Sequence, residues 1–442
     1  MRSSPAGWHL IKLGDIAELK YGKALPAAVR DGGEFPVFGS NGIVGHHSEW
    51  LSPAPTIVIG RKGSVGEVCF SDKNCSPIDT TYYVDSFEFF DPKFCFYLLR
   101  NLTLGNLNKS TAIPGLNRQD VYNLEVGLPP LLEQTRIATK LDELLAQVDT
   151  LKARIDGIPA LLKRFRQSVL AAAVSGRLTE EWRKQTRDTQ QVVLQHRKPP
   201  LHQIYAEDNF TAPPNWLLTA FGNVANFQQG LQIAKSERRN APSEDSLPIL
   251  RTVNYENEFK DDIHYATISE KSIIAEEKDI ILSRTGTVGR VLTGHRGIMH
   301  NNSFRINYES KLLQRDYLIF FLESPLCQEY IKKKSGKSSQ PDLTHKEFSK
   351  CPALVPPICE QKEIVHRVEQ LFAFADQLES RVKAAQTRID RLAQSILAKA
   401  FRGELVPQDP NDEPASVLLE RIKAQRAAAP KARRDRQAAK QG

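Results

Sequence analysis

The chain contains an internal repeat that spans most of its 442 residues, and this repeat constrains the fold more than any other feature. Trp8 returns as Trp216, and residues 56–68 (TIVIGRKGSVGEV) return as residues 279–291 (DIILSRTGTVGRV). The offset between the copies grows between these anchors but is constant from Pro129 onward. Insertions therefore fall only in the first part of each half, which indicates a globular part that tolerates insertions and a following part of fixed length.

The part of fixed length carries a heptad pattern of apolar residues in both halves. Ten apolar residues alternate in steps of four and three from Ile137 to Val169, and the pattern recurs at the constant offset from Ile364 to Ile396. This spacing predicts two long α-helices, each with a narrow apolar seam. The seams are most simply buried against each other in an antiparallel coiled coil, a rod of about 50 Å that would fix the distance between the globular parts. A plain helical core or a dimer zipper remains an alternative.

Both predicted helices have recognisable ends. Each follows a Pro-Pro pair, carries Glu-Gln in its first turn, where a carboxylate suits the helix dipole, and ends near a glycine. The first helix contains Gly157 and Pro159, whereas the second has Ala384 and Gln386 at the equivalent positions. Because proline removes a helix hydrogen bond, we expect a kink or a short break in the first helix and a straighter second helix.

The globular parts are rich in short β-like runs punctuated by Gly and Asn, which predicts an α+β module in each. The expected fold class is α+β, with two α/β-type domains separated by two long antiparallel coiled-coil helices and related by a pseudo-twofold internal repeat. The expected boundaries are 1–130 for the first globular domain, 131–180 for the first helix, 181–210 for a linker, 211–357 for the second globular domain, 358–405 for the second helix and 406–442 for a basic C-terminal tail.

The net charge of +8 does not by itself indicate nucleic-acid binding. Residues 421–442 hold eight Lys and Arg against one Asp, so the rest of the chain is nearly neutral. A duplex-binding surface would have to be a local patch on the folded domains. The tail alone is compatible with a disordered, solvated extension.

Several protein classes are disfavoured by the sequence. It has no apolar run of the roughly 18 to 20 residues that a membrane span needs, and no secretion signal at its start, so we expect a soluble, cytoplasmic protein. Six cysteines occur without a C-x-x-C pair or a His at zinc spacing, and His46, His47 and Asp79 lack recognisable ligand spacing, so we expect no metal site. The glycine segments lack the Gly-Lys-Ser/Thr of a P-loop, which argues against nucleotide binding.

Two glycine-bearing segments are candidates for DNA contact. Residues 61–66 (RKGSVG) and 284–289 (RTGTVG) resemble loops between strands that offer cations, hydroxyls and backbone N–H groups to phosphates. A plain hairpin turn is an equally open interpretation.

Further candidates combine Arg with Asn or are polar and cationic. Residues 250–254 and 301–303 place Arg and Asn where they are able to pair with guanine and adenine edges, although surface turns use the same residues. Residues 109–117 and 337–345 precede two helices at equivalent places and suit phosphate contacts, with a solvated loop as the alternative. The candidate DNA-contacting residues are Arg61, Lys62, Ser64, Lys109, Asn117, Arg251, Asn254, Arg284, Thr285, Thr287, Asn301, Asn302, Lys337 and Gln340.

The ends of the two helices carry sharp motifs. Residues 162–178 read LKRFRQSVLAAAVSGRL, residues 394–405 read QSILAKAFRGEL, and residues 413–420 read EPASVLLE. In these motifs and in its repeat, the chain resembles the specificity subunits of type I restriction-modification systems, the HsdS family, and most of all its class A. The resemblance covers nearly the whole chain.

The resemblance implies a non-catalytic protein. Each target-recognition domain of that family reads one half of a bipartite, asymmetric double-stranded DNA site, and the helical pair fixes the number of unread base pairs between the halves. Two adenine-methylating modification subunits dock on the helices, and restriction subunits add ATP-driven translocation and cleavage. This chain has no Asn/Asp-Pro-Pro-Tyr/Phe methylation motif, so S-adenosylmethionine, ATP and magnesium are expected on partner subunits, and no membrane partner is expected.

The polar and small-residue face near each helix end is the expected docking surface for the modification subunits. Its pseudo-twofold relation would offer two equivalent partner sites, although Ala and Gly there would also serve close helix packing and helix termination. The candidate docking residues are Gln167, Ser168, Ala171, Gly176, Gln394, Ser395, Ala398 and Gly403. Two other function classes remain open: a coiled-coil scaffold without DNA readout, and a stand-alone nuclease or methyltransferase.

Overall fold

The computed structural model of the chain describes residues 5–108, 115–186, 192–193, 202–204, 211–251, 262–336 and 341–428. The described helices are α1 (Leu13–Ile16), α2 (Pro92–Asn101), α3 (Arg118–Tyr122), α4 (Leu131–Asp156), α5 (Ile158–Val174), α6 (Glu180–Gln185), α7 (Arg315–Glu323), α8 (Pro325–Lys334), α9 (His345–Phe348), α10 (Ile358–Ala400) and α11 (Ala415–Ala428). The described strands are β1 (His9–Lys12), β2 (Lys20–Tyr21), β3 (Phe35–Gly39), β4 (Gly42–His47), β5 (Thr56–Gly60), β6 (Val68–Ser71), β7 (Ser76–Pro77), β8 (Thr81–Val84), β9 (Glu125–Leu128), β10 (Leu217–Ala220), β11 (Ala225–Gln229), β12 (Ser246–Leu250), β13 (Tyr265–Thr267), β14 (Ile274–Ala275), β15 (Ile281–Ser283), β16 (Val291–Leu292), β17 (Gly297–Met299), β18 (Ser303–Tyr308) and β19 (Pro352–Val355).

The first of two compact units consists of Met1–Asp156 with Lys383–Gly442. In it β1 pairs with β9, four strands form a sheet in the order β2-β8-β5-β6, and three strands form a sheet in the order β4-β3-β7. The pairs are antiparallel except for β3 with β7. β5 is buried along its whole length because it lies between two neighbours and beneath α2.

The second unit, Gly157–Val382, repeats this strand arrangement. β10 pairs with β19, one sheet has the order β11-β18-β15-β16, and another has the order β13-β12-β17-β14. The pair β12 and β17 is parallel, as β3 and β7 are in the first unit. The extra strand β14 lies where the second copy has gained residues. The internal repeat predicted from the sequence is therefore confirmed in the strand order.

In the first unit α4 packs antiparallel to the last part of α10. Lys152 Nζ lies 2.7 Å from Asp390 Oδ1, and Gln386 Nε2 donates to Asp156 Oδ1 at 2.7 Å, so contacts move backward along α10 as they move forward along α4. Buried residues of both helices belong to the core of the globular part: Ile137, Leu141, Leu145, Val148, Ile396, Leu397 and Ala400. Each helix seam is thus shared between its partner helix and the domain.

The second unit contains the same type of pair, formed by α5 and the first part of α10. Arg166 Nη2 lies 2.5 Å from Asp376 Oδ1, and Arg367 Nη1 donates to the carbonyl of Leu178 at 2.9 Å. These contacts again run in opposite directions along the two helices. The antiparallel pairing expected from the heptad pattern is therefore present within each unit.

The predicted break in the first helix is confirmed. α4 ends at Asp156 and α5 begins at Ile158, with Gly157 between them and Pro159 in the first turn of α5. α10 passes without interruption through the equivalent positions. Proline in a first helical turn loses no hydrogen bond, so a new helix starts where the old one is interrupted.

Two of the twenty predicted seam positions are exposed. The side chains of Leu151 and Leu392 are 47% and 46% exposed. Both lie near the level of the Lys152–Asp390 ion pair, where charged side chains make the contact between the helices. At this level of the helix pair the predicted seam is wrong, because charged side chains and not Leu151 and Leu392 make the contact between the helices.

The first part of the basic C-terminal tail, whose sequence is compatible with a disordered extension, forms the helix α11. Helix α11 places Leu418 and Ile422 in the core of the first unit, because apolar residues four apart share one face of a helix. Asp412, ahead of this helix, accepts from Arg136 Nη2 at 2.5 Å. Residues 429–442 lie outside the described part of the chain.

Two kinds of feature are absent from the described residues. These residues include no helix with the length and apolar character that a membrane span requires. Nor do they bring three or more His, Cys, Asp or Glu side chains together in a group able to hold a metal ion.

Candidate nucleic-acid interface

The two glycine segments form the same hairpin in both domains. Gly63 and Gly66 have φ values of +78° and +81°, in the hairpin between β5 and β6. Gly286 and Gly289 have φ values of +75° and +86°, between β15 and β16. The N–H of each second glycine donates to the carbonyl six residues earlier, at 2.8 Å and 2.9 Å. The left-handed conformation explains why glycine recurs at these positions.

In the first domain the hairpin lies against the segment that precedes α3. The N–H of Leu116 donates to the carbonyl of Arg61 at 2.9 Å, and Lys62 forms a bridge with Gly115. Asn117 caps α3 by accepting from the N–H of Gln119 at 2.8 Å. Two candidate segments, far apart in the sequence, therefore meet at one edge of the domain. Lys62, Ser64 and Asn117 are exposed there.

The Arg61 side chain contacts residues that the sequence had not indicated. Its Nη2 donates to the carbonyl of Asp79 at 2.7 Å, and its Cζ lies 5.3 Å from the centre of the Tyr21 ring. The Cζ of Arg118 lies 5.1 Å from the same ring. Tyr21 precedes the repeated glycine Gly22, and Arg118 follows the candidate Asn117, but neither position carries a pattern that would have identified it.

In the second domain the equivalent hairpin lies against the segment before α9. The N–H of Leu343 donates to the carbonyl of Arg284 at 2.9 Å, as in the first domain. The Arg284 guanidinium is occupied by Asp342, with Nη2 2.6 Å from Oδ2 and Nε 2.9 Å from Oδ1. Thr287 is exposed and Thr285 is partly buried. The backbone is repeated, but the charge of the arginine is balanced here.

The remaining arginine and asparagine candidates are engaged within the second domain. Arg251 Nη2 lies 2.5 Å from Asp262 Oδ2, and its side chain is 14% exposed. The side-chain amide of Asn301 donates from Nδ2 to Gln232 Oε1, and Asn302 Oδ1 accepts from the Ser303 hydroxyl at 3.4 Å. Asn301 and Asn302 are both partly buried. The four other candidates, Lys109, Asn254, Lys337 and Gln340, lie outside the described residues.

His345 occupies the position equivalent to Arg118. Its ring lies between the rings of Phe227 and Phe304, at centroid distances of 5.9 Å and 5.0 Å. Burial lowers the pKa of this imidazole, and the nearby Arg284 lowers it further. An aromatic-packed imidazole with a lowered pKa thus stands in the second domain where the first domain has the guanidinium of Arg118.

The candidate docking residues divide into two groups. Gln167, Ser168, Gln394 and Ser395 are exposed, and the two alanines, Ala171 and Ala398, are partly buried. Gly176 and Gly403 follow the helix ends with φ values of +77° and +71°. A Cβ on Gly176 would lie 2.5 Å from Pro213 Cγ, and one on Gly403 would lie 2.6 Å from Pro5 Cγ. Helix termination and close packing account for both glycines.

A buried carboxylate connects each globular part to its long helix. Trp8 Nε1 donates to Glu133 Oε1 at 3.0 Å, and Trp216 Nε1 donates to Glu360 Oε2 at 2.7 Å. Glu360 also accepts through Oε1 from Arg183 Nη1 at 2.5 Å. Sequence reasoning had assigned these carboxylates only to the helix dipole, although the repeated Trp and Glu were both visible.

A buried glutamine next to each carboxylate also connects the long helix to its globular part. Gln134 Nε2 donates to the carbonyls of Phe89 and Pro129, and its Oε1 accepts from the N–H of Asp91 at 2.9 Å. Gln361 makes the equivalent three bonds in the second unit, to Leu312, Pro356 and Gln314. In each buried amide both N–H groups and the oxygen are hydrogen-bonded, and these bonds fix the start of the helix against its domain.

Comparison with known proteins places these features in one family. Residues 5–160 and 213–386 match the sequence profile described as "Type I restriction modification DNA specificity domain". The EcoDI specificity subunit of a type I restriction enzyme from Escherichia coli is 31% identical over 446 residues, covering 96% of both chains. The EcoBI specificity subunit from the same species is 36% identical over 358 residues, covering 77% of this chain and 73% of that protein.

Solved structures share the fold. The HsdS subunit from Thermoanaerobacter tengcongensis matches with a TM-score of 0.54 at 18% identity, over 91% of this chain and 98% of that one. A chain from a structural study of the assembly and conformational transition of a type I R-M system matches with a TM-score of 0.61 at 17% identity, over 92% of this chain and 100% of that one.

Proposed function

Because the chain belongs to the family of type I restriction-modification specificity subunits, we propose that each of its two globular domains reads one half of a bipartite, asymmetric DNA site. As a member of that family it is a non-catalytic DNA-recognition subunit with two target-recognition domains. Family membership sets aside both a coiled-coil scaffold without DNA readout and a stand-alone nuclease or methyltransferase.

One observation supports the two-part readout above all. The same glycine hairpin, with left-handed glycines at the same spacing, lies against the same pre-helical segment in each domain. Exposed hydroxyl and basic side chains accompany it in the first domain, and an arginine paired with a carboxylate accompanies it in the second. A repeated backbone with different side chains suits recognition of two different short sequences.

The long helices are proposed to fix the number of unread base pairs between the halves. The offset between the two copies does not change from the Pro-Pro pairs to the glycines at the helix ends. Each unit pairs its helices antiparallel through a packed seam and ion pairs. A helix length that is the same in both copies is expected if that length determines the distance between the two half-sites.

The partners follow from the same family membership. We propose that two modification subunits dock near the exposed Gln167 and Ser168 and near the exposed Gln394 and Ser395. Restriction subunits would complete the assembly, in the cytoplasm. S-adenosylmethionine, ATP and magnesium would be bound by those partners and not by this chain.

The test is selection from a randomised duplex library with this chain purified in complex with its modification subunits. Two short specific blocks around a spacer of constant length are expected, at a stated salt concentration, because phosphate contacts make affinity salt-dependent. A single block, or no enriched sequence, would contradict the proposal. The modification subunits alone serve as the control and should enrich neither block.

A further inference from the structure

A cluster of two arginines and a tyrosine lies beside the glycine hairpin of the first domain. We call Tyr21, Arg61 and Arg118 the tyrosine stack. Both guanidinium groups lie over the Tyr21 ring, with Cζ 5.3 Å and 5.1 Å from its centre. The Tyr21 ring is itself 51% exposed, whereas its neighbour Tyr82, 5.0 Å away edge-on, is buried. The stack therefore combines a half-exposed aromatic ring with two partly buried cations.

The two positive charges of the stack are not neutralised by the described part of the protein. Arg61 donates to the carbonyl of Asp79, and Arg118 donates to the carbonyl of Leu19 at 3.4 Å. Neither guanidinium forms an ion pair with a carboxylate of the described residues. Two cations held over one ring repel each other, so an anion placed between them would be bound favourably.

The backbone around the stack is fixed before any ligand arrives. Tyr21 of β2 pairs with Tyr82 of β8, and a Cβ on Gly22 would collide with the carbonyl oxygen of Ile78. The N–H of Leu19 donates to the Tyr122 hydroxyl at 2.9 Å. Rigid elements on both sides of Tyr21 keep the ordering cost of binding low.

The second domain lacks an equivalent stack at the corresponding positions. Gln229 precedes the repeated glycine, Arg284 is bound to both oxygens of Asp342, and His345 packs between two phenylalanine rings. The hairpin backbone alone therefore does not require two free cations and an exposed ring. The stack is a property of the first domain.

We propose that the tyrosine stack binds one phosphate of the DNA backbone at the half-site read by the first domain. Both guanidinium groups donate to the phosphate, and the Tyr21 ring packs on the adjacent nucleoside. The proposal rests on the proposed function, because it assumes that this domain meets DNA. In this proposal the stack contributes to the affinity for DNA and to the register of the protein on the duplex, and it does not select the base sequence.

The first test replaces Arg118 in the complete complex of this chain with its modification subunits. Arg118→Gln removes one of the two guanidinium contacts to that phosphate, so the slope of log K against log salt should fall by up to about 0.9, with Kd roughly tenfold weaker on every DNA sequence alike. Arg118→Lys keeps the charge and should keep most of the slope. Arg100→Gln is the matched control: Arg100 lies on α2 of the same domain, with its Cζ 5.4 Å from the centre of the Phe96 ring and not over the Tyr21 ring.

The second test separates the ring from the charges. Tyr21→Ala should weaken binding roughly tenfold without changing the salt slope, because stacking on a nucleoside involves no counterion release. Tyr21→Phe keeps the ring and should bind as the wild type does. All variants are compared for assembly with the modification subunits and for thermal unfolding of the complex.

Three results would overturn the phosphate site. They are an unchanged slope in Arg118→Gln, an equal loss of slope in Arg118→Lys, and a change confined to one base pair of the target, which would make the stack a base reader. The proposed function would fail separately, if the wild-type complex itself selected no bipartite site.

Discussion

The two globular domains share a backbone but differ in how their cations are held. In the first domain Arg61 and Arg118 contact carbonyls and an exposed ring. In the second, Arg284 is bound to Asp342, and His345 is packed among phenylalanines. The difference teaches that the repeat conserves the hairpin and its attachment to the pre-helical segment, while the electrostatic surface is free to change from copy to copy.

The same contrast recurs where each domain joins its helix. Glu360 Oε1 accepts from Arg183 and from the Thr179 hydroxyl, and its Oε2 accepts from Trp216. Glu133 accepts from Trp8, and the nearest arginine, Arg136, is bound to Asp412 instead. The Glu360 carboxylate is thus part of a buried ion pair, whereas the Glu133 carboxyl is held mainly by the neutral indole N–H of Trp8.

The largest expected effect is a difference in stability between two matched substitutions. Glu360→Gln leaves the Arg183 charge without its partner and turns an amide N–H₂ toward donors, so it should lower local stability of the second unit by about 2–4 kcal/mol. Glu133→Gln keeps an acceptor for Trp8 and should change the first unit by less than about 1 kcal/mol. Hydrogen exchange of backbone amides measures both. Equal losses of stability in the two units would contradict the difference inferred between Glu360 and Glu133.

The Glu133→Gln variant also has an expected pH dependence. Burial raises the pKa of the Glu133 carboxyl. A raised folded-state pKa gives stability that is fully present below the unfolded-state pKa and lost as pH rises through the folded value. The wild type should therefore gain stability relative to Glu133→Gln as pH falls from neutral through that pKa, and a loss on acidification would refute the assignment.

A smaller effect is expected from Asp342→Asn, which releases the Arg284 guanidinium. The second domain would then resemble the first in free charge, so the salt slope should rise by up to about 0.9, with stronger binding to non-specific DNA. Glu276→Gln is the control, since its partner Arg296 is half exposed on the same domain. An unchanged slope in Asp342→Asn would mean that Arg284 does not face DNA.

Local and periodic features were predictable from the sequence. The repeat, the two long helices, the break at Gly157 and the glycine hairpins all depend on residue type at short spacing, where φ preference and helix periodicity act directly. Features that depend on contacts between residues distant in the sequence were not predictable. The pairing of Arg284 with Asp342, the burial of Glu133 and the packing of α11 bring together residues that lie far apart in the chain.

The candidate site illustrates the same division. The hairpin candidates Arg61, Lys62 and Ser64 were found because they accompany repeated glycines. Tyr21 and Arg118 were missed because only the pairing of β2 with β8 and the position of α3 bring them beside the hairpin. Gly176 has a φ of +77° at the end of α5, which fits the helix-termination role that the sequence analysis also offered, and its part in docking stays a prediction.

The central claim is that each domain reads its own half-site. The most direct test exchanges residues 1–130 for the corresponding domain of a relative with a different target, and repeats the library selection on the purified complex. The account predicts that one block of the motif changes, while the other block and the spacer length stay the same. Change in both blocks, or in neither, would contradict it.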